Sequence, residues 1–270
     1  KSHWLYGQPV ALKDKVPLMR NEECIEFPAD QSTITRRYAD EGIRFISESV
    51  KAGKPFFLYL ANSMPHVPLF ASPDFKGRSE DGPYGDTIEE IDFNTGRIMD
   101  LLKKLGIEGN TIVIFSSDNG PWLEKGDQAG SAKPLFEGKF TSFEGGQRVP
   151  CIIRWPGRIP EGSTCSEIAS TIDLLPTLAH IVGVQLSDSN LDGKDILDLW
   201  TKEGAKTPHA YFFYVNQGQA VRSGDWKYHK KEVFKVQKTA RKASGTALYN
   251  LNDDIGESTN VIDEYPEIAE

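Results

Sequence analysis

The chain has 270 residues, 39% of them hydrophobic and 26% charged, with a formal net charge of −8 at pH 7. That length buries a large core in one main domain with a smaller appendage, and the acidic balance, with no long basic run, argues against a nucleic-acid or anionic-membrane binder. No apolar stretch approaches the length that crosses a bilayer, and the three cysteines, Cys24, Cys151 and Cys165, make no disulfide framework.

Beginning at Lys1 with no charged-then-apolar leader, the chain reads as a mature product or as a portion of something longer. Residues 1–30 lack periodicity and read as a loop or irregular arm. From Thr35 to about Val50 the apolar stripe Tyr38, Ile43, Ile46 and Val50 predicts a helix, and Gly53 ends it. Phe56-Phe-Leu-Tyr-Leu-Ala61 is a continuous apolar run, as in a strand covered on both faces. A proline-bearing loop follows, from Asn62 to Phe70. The clearest helix is predicted over Thr87 to Leu105, with Thr87 and Glu90 as a capping box and Gly106 as the stop. Ile112-Val-Ile-Phe115 then reads as a buried strand. Strand, helix and strand together make a βαβ unit, which normally gives parallel strands.

A Gly-rich stretch from Gly120 to Gly146 is too long and polar for a simple connector. Val149 to Trp155 predicts another strand. Leu174 to Val182 predicts a short helix, with Pro176 tolerable only in its first turn. The polar segment Ser187 to Pro208 marks a boundary. Beyond it, short strands are predicted at Ala210–Val215, Gln219–Val221, Trp226–His229 and Ala247–Leu251, around turns such as Ser223-Gly-Asp225. The expected fold class is therefore α/β: a mixed, largely parallel sheet flanked by helices, with a small C-terminal antiparallel sheet. The expected division is residues 1–200 and residues 201–270.

Three places carry residues suited to chemistry. Ser116-Ser-Asp118-Asn119-Gly-Pro121 follows the carboxyl end of strand 112–115, where open α/β sheets bind ligands. An acidic and an amide oxygen there suit a hard cation such as calcium, although Asp-Asn-Gly is also ordinary turn chemistry. Met64-Pro-His66-Val-Pro68 lies beyond the end of strand 56–61, and its imidazole can donate a proton near neutrality. In Glu137-Gly-Lys139, the glycine lets the backbone approach a ligand and Lys139 offers a compact charge with three donors. The plain alternative for Lys139 is a solvated surface charge.

Several linked motifs in order resemble the sulfatases: Tyr84-Gly-Asp-Thr-Ile-Glu-Glu-Ile-Asp92, Ser116-Ser-Asp-Asn-Gly120, Glu137-Gly-Lys139 and Phe143-Glu-Gly-Gly-Gln-Arg-Val-Pro150. Thr171-Ile-Asp-Leu-Leu-Pro-Thr177, Arg222-Ser-Gly-Asp-Trp-Lys227 and Leu248-Tyr-Asn-Leu251 extend the likeness to arylsulfatase-type enzymes from about Pro17 to Val261. The resemblance implies a sulfuric ester hydrolase acting on a sulfated small molecule or glycan, located in the periplasm, outside the cell or in lysosomes. It implies calcium ligands at Asp118 and Asn119, with His66 and Lys139 around the sulfate and the leaving-group oxygen.

The family's formylglycine arises in a Cys/Ser-x-Pro-x-Arg segment, and the contexts Cys24-Ile-Glu, Cys151-Ile-Ile and Cys165-Ser-Glu do not supply it. The chain thus resembles the C-terminal part of a sulfatase, with the formylglycine expected upstream and the catalytic set incomplete as it stands. Two alternatives remain at this point: a phosphonate or phosphate ester hydrolase of the same alkaline-phosphatase-like superfamily, and a fragment that binds anions or a partner without turnover. Five histidines, none following an aspartate, disfavour a two-zinc phosphatase.

Overall fold

A computed structural model describes residues 15–187, 190–215, 219–233 and 245–270. The described residues fold as two compact units, one of residues 15–108 with 125–130 and the other of those within 109–124 and 131–270. The fold is mixed α/β, with a small four-stranded antiparallel sheet near the C-terminus.

The first unit opens on a two-stranded hairpin, β1 (Leu18–Arg20) with β2 (Glu23–Glu26), where an irregular arm is expected from the sequence. Residues 1–14 of that arm lie outside the described residues. Asn21 takes the positive φ of 53° that the tight turn requires. Helix α1 (Ile34–Lys51) covers the predicted helix and buries Ile34, Ala39, Gly42 and Ile46; of the predicted stripe only Ile46 is buried, with Tyr38, Ile43 and Val50 half-buried. Gly42 matters for packing: a Cβ there would stand 3.3 Å from Leu58, so the bare backbone lets that side chain settle on the helix.

Helix α2 (Gly82–Lys104) starts five residues before the predicted Thr87. Pro83, pre-set for helical φ, fits the first turn and moves the start upstream. Thr87 therefore lies inside the helix, its hydroxyl donating to the Tyr84 carbonyl at 2.7 Å. Glu90 accepts from Ser72 N at 2.8 Å, and Asp86 accepts from the amides of Gly77, Arg78 and Ser79 at 2.7, 3.0 and 2.8 Å. These two buried carboxylates fasten the preceding loop to the helix. Arg97 on α2 reaches Asp40 on α1 at 2.6 Å, tying the two helices together.

The run 56–61 forms no ladder among the described residues, so the parallel pairing expected of it is not made there. Exposure still alternates along it, with Phe57 and Tyr59 74% and 82% exposed between half-buried neighbours. The cover on both faces expected of this run is thus not met among the described residues: an apolar run signals a tendency to be buried, and which element covers it or accepts its hydrogen bonds is set by tertiary structure.

In the second unit, β3 (Val113–Ser116) pairs antiparallel with β4 (Cys151–Arg154), Val113 opposite Arg154 and Ser116 opposite Cys151. Phe115 and Ile152 face each other across this ladder, 40% and 65% exposed. Short helices follow: α3 (Glu144–Gln147), α4 (Leu174–Ile181), which carries Pro176 in its first turn, and α5 (Leu197–Thr201). Asp173, fully buried, joins three segments by accepting from Ser170 N, Lys194 N and His209 Nε2 at 2.8, 2.9 and 2.7 Å.

Strands β5 (Phe212–Val215), β6 (Gln219–Ser223), β7 (Trp226–Lys231) and β8 (Ala247–Asn250) form an antiparallel sheet in sequence order. All four match the predicted strands closely. Gly224, at φ +54°, makes the tight turn between β6 and β7. Helix α6 (Pro266–Ala269) closes the chain, and Tyr265 just before it lies 5.0 Å from the Trp226 ring. The sheet's inner face meets the Gly-rich region in a core of Phe136, Phe143, Ala247, Tyr249 and Leu251. Each large apolar side chain so buried stabilises the fold by roughly 1.5–3 kcal/mol.

Candidate functional site

Four glycines decide how the candidate loops of the second unit meet. Gly120 N donates to Gly146 O at 3.0 Å, and Gly145 N donates to Phe136 O at 2.9 Å. A Cβ on Gly120 would fall 1.8 Å from Gly145 O, one on Gly138 2.4 Å from Pro121 O, and one on Gly145 2.2 Å from Glu137 O. One on Gly146 would fall 2.5 Å from Gly138 O. The nearest obstacle in each case is a backbone oxygen, which cannot swing aside as a side chain can, so only glycine permits this interlocking. It sets the Asp118–Pro121 loop beside the Glu137–Phe140 loop, and Lys139 N donates to Pro121 O at 2.9 Å across the junction.

Lys139 is half-buried, and its Nζ stands 5.4 Å from the Trp122 ring centre and 5.3 Å from that of Phe140. These rings meet edge to face at 5.5 Å, so the ammonium is held by two π faces, each worth about 0.5–1 kcal/mol at a partly exposed site. The flanking residues Glu137 and Phe140 have φ of 59° and 74°, conformations that cost roughly 1–2 kcal/mol each for non-glycine residues. Strain held on both sides of a single cation is characteristic of pre-organised ligand sites.

Asp118 is exposed and Asn119 half-buried, in a turn stabilised by Ser117 Oγ donating to Asn119 O at 3.2 Å and Ser116 Oγ to Pro150 O at 3.1 Å. Together the Asp118 carboxylate and the Asn119 amide offer three oxygens, whereas calcium takes six to eight. Among the described residues no group of three His, Cys, Asp or Glu side chains is arranged to hold a metal ion. By themselves these two side chains could not complete such a shell.

His66 belongs to the first unit, while Asp118, Asn119 and Lys139 belong to the second. Its loop is anchored by buried Met64, Val67 and Leu69, and its exposed ring has Nδ1 2.7 Å from Val67 O. A carbonyl only accepts, so the Nδ1 proton is committed to it, and only the imidazolium form offers a second N–H, at Nε2.

Behind the glycine junction lies a buried ionic group that sequence reasoning did not single out. Glu144 accepts from Lys227 Nζ at 2.9 Å and Arg222 Nη1 at 2.8 Å, while Glu257 accepts from Lys227 Nζ at 3.1 Å and His229 Nε2 at 2.9 Å. Burial alone would raise the Glu144 carboxyl, but Lys227 and Arg222 outweigh it and hold the group below the usual glutamate range. Burial, and then the charge of Glu144, push the neighbouring Tyr214 phenol well up.

A family model described as sulfatase matches residues 5–184, two thirds of the chain. The chain belongs to the sulfatase family. A second model, described as the C-terminal part of N-sulphoglucosamine sulphohydrolase, matches residues 133–269. Arylsulfatase A of Bos taurus is 36% identical over 272 residues, covering 94% of this chain and 54% of the relative. N-acetylgalactosamine-6-sulfatase of Sus scrofa is 39% identical over 229 residues, covering 80% and 44%. The solved PsFucS1 sulfatase from Pseudoalteromonas sp. superposes with a TM-score of 0.81 at 28% identity, covering 90% of this chain and 52% of that one. This sulfatase-family chain thus spans about half the length of the curated relatives it matches.

Proposed function

We propose that the enzyme carrying this chain hydrolyses sulfate monoesters, with Lys139 binding the sulfate oxygens. The observation that supports the reading is the glycine junction, which brings the backbone of the Lys139 loop against the Asp118–Pro121 loop in a chain of the sulfatase family. A sulfate ester stays anionic throughout the physiological pH range, so no protonation relieves its charge. A fixed cation must do so, and in a water-poor site its effect far exceeds that in bulk solvent. His66, protonated at Nε2, donates to the departing alcohol oxygen. Asp118 and Asn119 would contribute oxygens to a calcium ion bound there, which would help to neutralise the sulfate charge, with the remaining ligands coming from other residues.

Formylglycine supplies the family's nucleophilic chemistry, and the contexts of Cys24, Cys151 and Cys165 lack the proline two positions on that its formation needs. In this reading it is contributed from upstream of Lys1. Residues 1–200 form the catalytic portion and residues 201–270 a supporting subdomain. The substrate class is a sulfated sugar or another small alcohol sulfate, in keeping with the name of the N-acetylgalactosamine-6-sulfatase relative. No helix among the described residues is long and apolar enough to cross a membrane. We place the enzyme in a periplasmic, secreted or lysosomal setting.

The test is an assay of the 270-residue chain and of an upstream-extended form on an aryl sulfate and an aryl phosphate. Sulfate cleavage by the extended form after nucleophile maturation, with none by the chain alone, is the expected result. Turnover of phosphate in preference to sulfate would assign the enzyme to phosphoryl transfer. Binding of inorganic sulfate with no turnover by the matured form would leave an anion-binding protein.

A further inference from the structure

The buried ionic group bears directly on the turn that carries the glycine junction. Glu144 N donates to Glu257 Oε2 at 2.7 Å, while the Glu144 carboxylate is held from the other side by Lys227 and Arg222. Phe143, one residue earlier, is fully buried and stacks on the His229 ring with centres 4.6 Å apart. Lys227 Nζ also lies 4.1 Å from the centre of the Tyr214 ring. The side chains on β5, β6, β7 and the loop after β8 thus hold Phe143 and Glu144 from several directions. Gly145 and Gly146 follow at once, and through them Phe136 and Gly120, the anchors of the Lys139 and Asn119 loops, are hydrogen-bonded.

Two carboxylates and two cations sunk together are expensive to desolvate, and well-packed apolar residues of similar volume stabilise a fold at least as well. What they provide beyond stability is directional bonding, and here three of the bonds, from Lys227, from Arg222 and to Glu257, end on Glu144 in one turn. We propose that Glu257 and Lys227, together with Arg222, are positioning residues that set the Lys139 and Asn119 loops from the C-terminal sheet. This rests on the reading of Lys139 as the sulfate-binding cation. The small sheet then acts as a fixed brace for the site, in addition to its place in the core.

The decisive variant is Glu257→Gln, which keeps the side-chain volume and removes the charge that the Glu144 amide and Lys227 share. In the active enzyme, kcat on an aryl sulfate should fall about 10- to 100-fold, the scale expected when a catalytic group is displaced by about 1 Å. KM should move much less. In a Lys139→Ala background the same substitution should have little further effect, because residues acting through one group do not add. Amide exchange gives an independent readout: the Gly120, Lys139 and Gly145 amides should exchange at least tenfold faster in the variant, with those of α1 unchanged.

Arg222→Gln, at a side chain 12% exposed, repeats both measurements where Glu257→Gln lowers the yield of folded protein. Full additivity with Lys139→Ala, or unchanged exchange at those three amides, would overturn the brace and leave the Lys139 assignment standing. A silent Lys139→Ala with altered exchange would instead overturn that assignment and leave the mechanical coupling intact.

Discussion

Lys139→Ala in the active enzyme should lower kcat on aryl sulfates by about 10²–10³-fold, the usual cost of removing one fixed group that stabilises transition-state charge. The loss should come without loss of fold. Lys139 is half-buried, its ammonium rests against Trp122 and Phe140, and its structural hydrogen bond to Pro121 O comes from the backbone, which alanine retains. Lys139→Arg should not restore the rate, because a planar fork does not reproduce a compact ammonium between two rings. His66→Ala should also depress turnover, by roughly 10²-fold or more if the ring protonates the leaving oxygen. Steady-state kinetics beside a thermal melt checks all three. An alanine variant of undiminished kcat would remove that residue from the site.

Lys227→Met should give the largest stability loss of any single substitution considered, about 3–5 kcal/mol, the range for removing one partner of a buried charge pair. Lys227 is fully buried and its ammonium serves Glu144 at 2.9 Å and Glu257 at 3.1 Å. Methionine fills most of the volume and leaves the two carboxylates to Arg222 and His229. Denaturant titration of the chain and its variant measures the difference. Adding Glu144→Gln should recover part of the loss, since it removes a charge that the first change left uncompensated.

The pH dependence of that difference follows from the signs. In the parent chain the Glu144 carboxyl is held below its ordinary value of 4.5, so its contribution is fully present above that pH and is lost as pH falls through the lower folded value. Without Lys227, burial outweighs the remaining attraction and the penalty falls on the ionised form, so acid relieves it. The gap between parent and variant should narrow as the pH drops below about 5. A gap that is constant from pH 7 to pH 4 would mean that Glu144 is not the group left exposed to the loss.

Elements whose signals are local were legible in the sequence. The span of α1, the strands at Val113–Ser116 and Cys151–Arg154, and all four strands of the C-terminal sheet coincide closely with patterning and turn residues. The hairpin β1–β2 was not legible, because Glu23-Cys-Ile-Glu26 shows little apolar alternation and Asn21 alone marked the turn. The start of α2 was misplaced because Thr87 and Glu90 fit a cap by spacing while Pro83 nucleates an earlier turn. Those two side chains serve tertiary contacts instead.

The site divides the same way. Residue type and motif spacing name His66, Asp118, Asn119 and Lys139 as candidates, but that the glycines interlock the Asp118–Pro121 and Glu137–Phe140 loops is visible only in the structure. Glu144, Arg222 and Lys227 fall within quoted motifs, but nothing in the sequence shows that they pair with one another or with Glu257. Glu144 and Lys227 stand 83 positions apart, and Glu144 and Glu257 113, so no window of sequence contains both members of either pair. Glu257 sits in an ordinary acidic turn segment, where only tertiary structure reveals that it is fully buried. Long-range electrostatic partners are chosen by the fold, and local patterning cannot name them.

The ladder of β3 and β4 has a further practical consequence. Both strands present an outer edge with no ladder partner among the described residues, and the facing pair Phe115 and Ile152 leaves one flank open to water. A short ribbon of this kind is a template for strand addition, and two strands alone are marginal in water. Produced as these 270 residues, the protein should recruit copies of itself along that seam as its concentration rises. Charged replacements at Phe115 and Ile152 would be the natural first step toward a well-behaved sample.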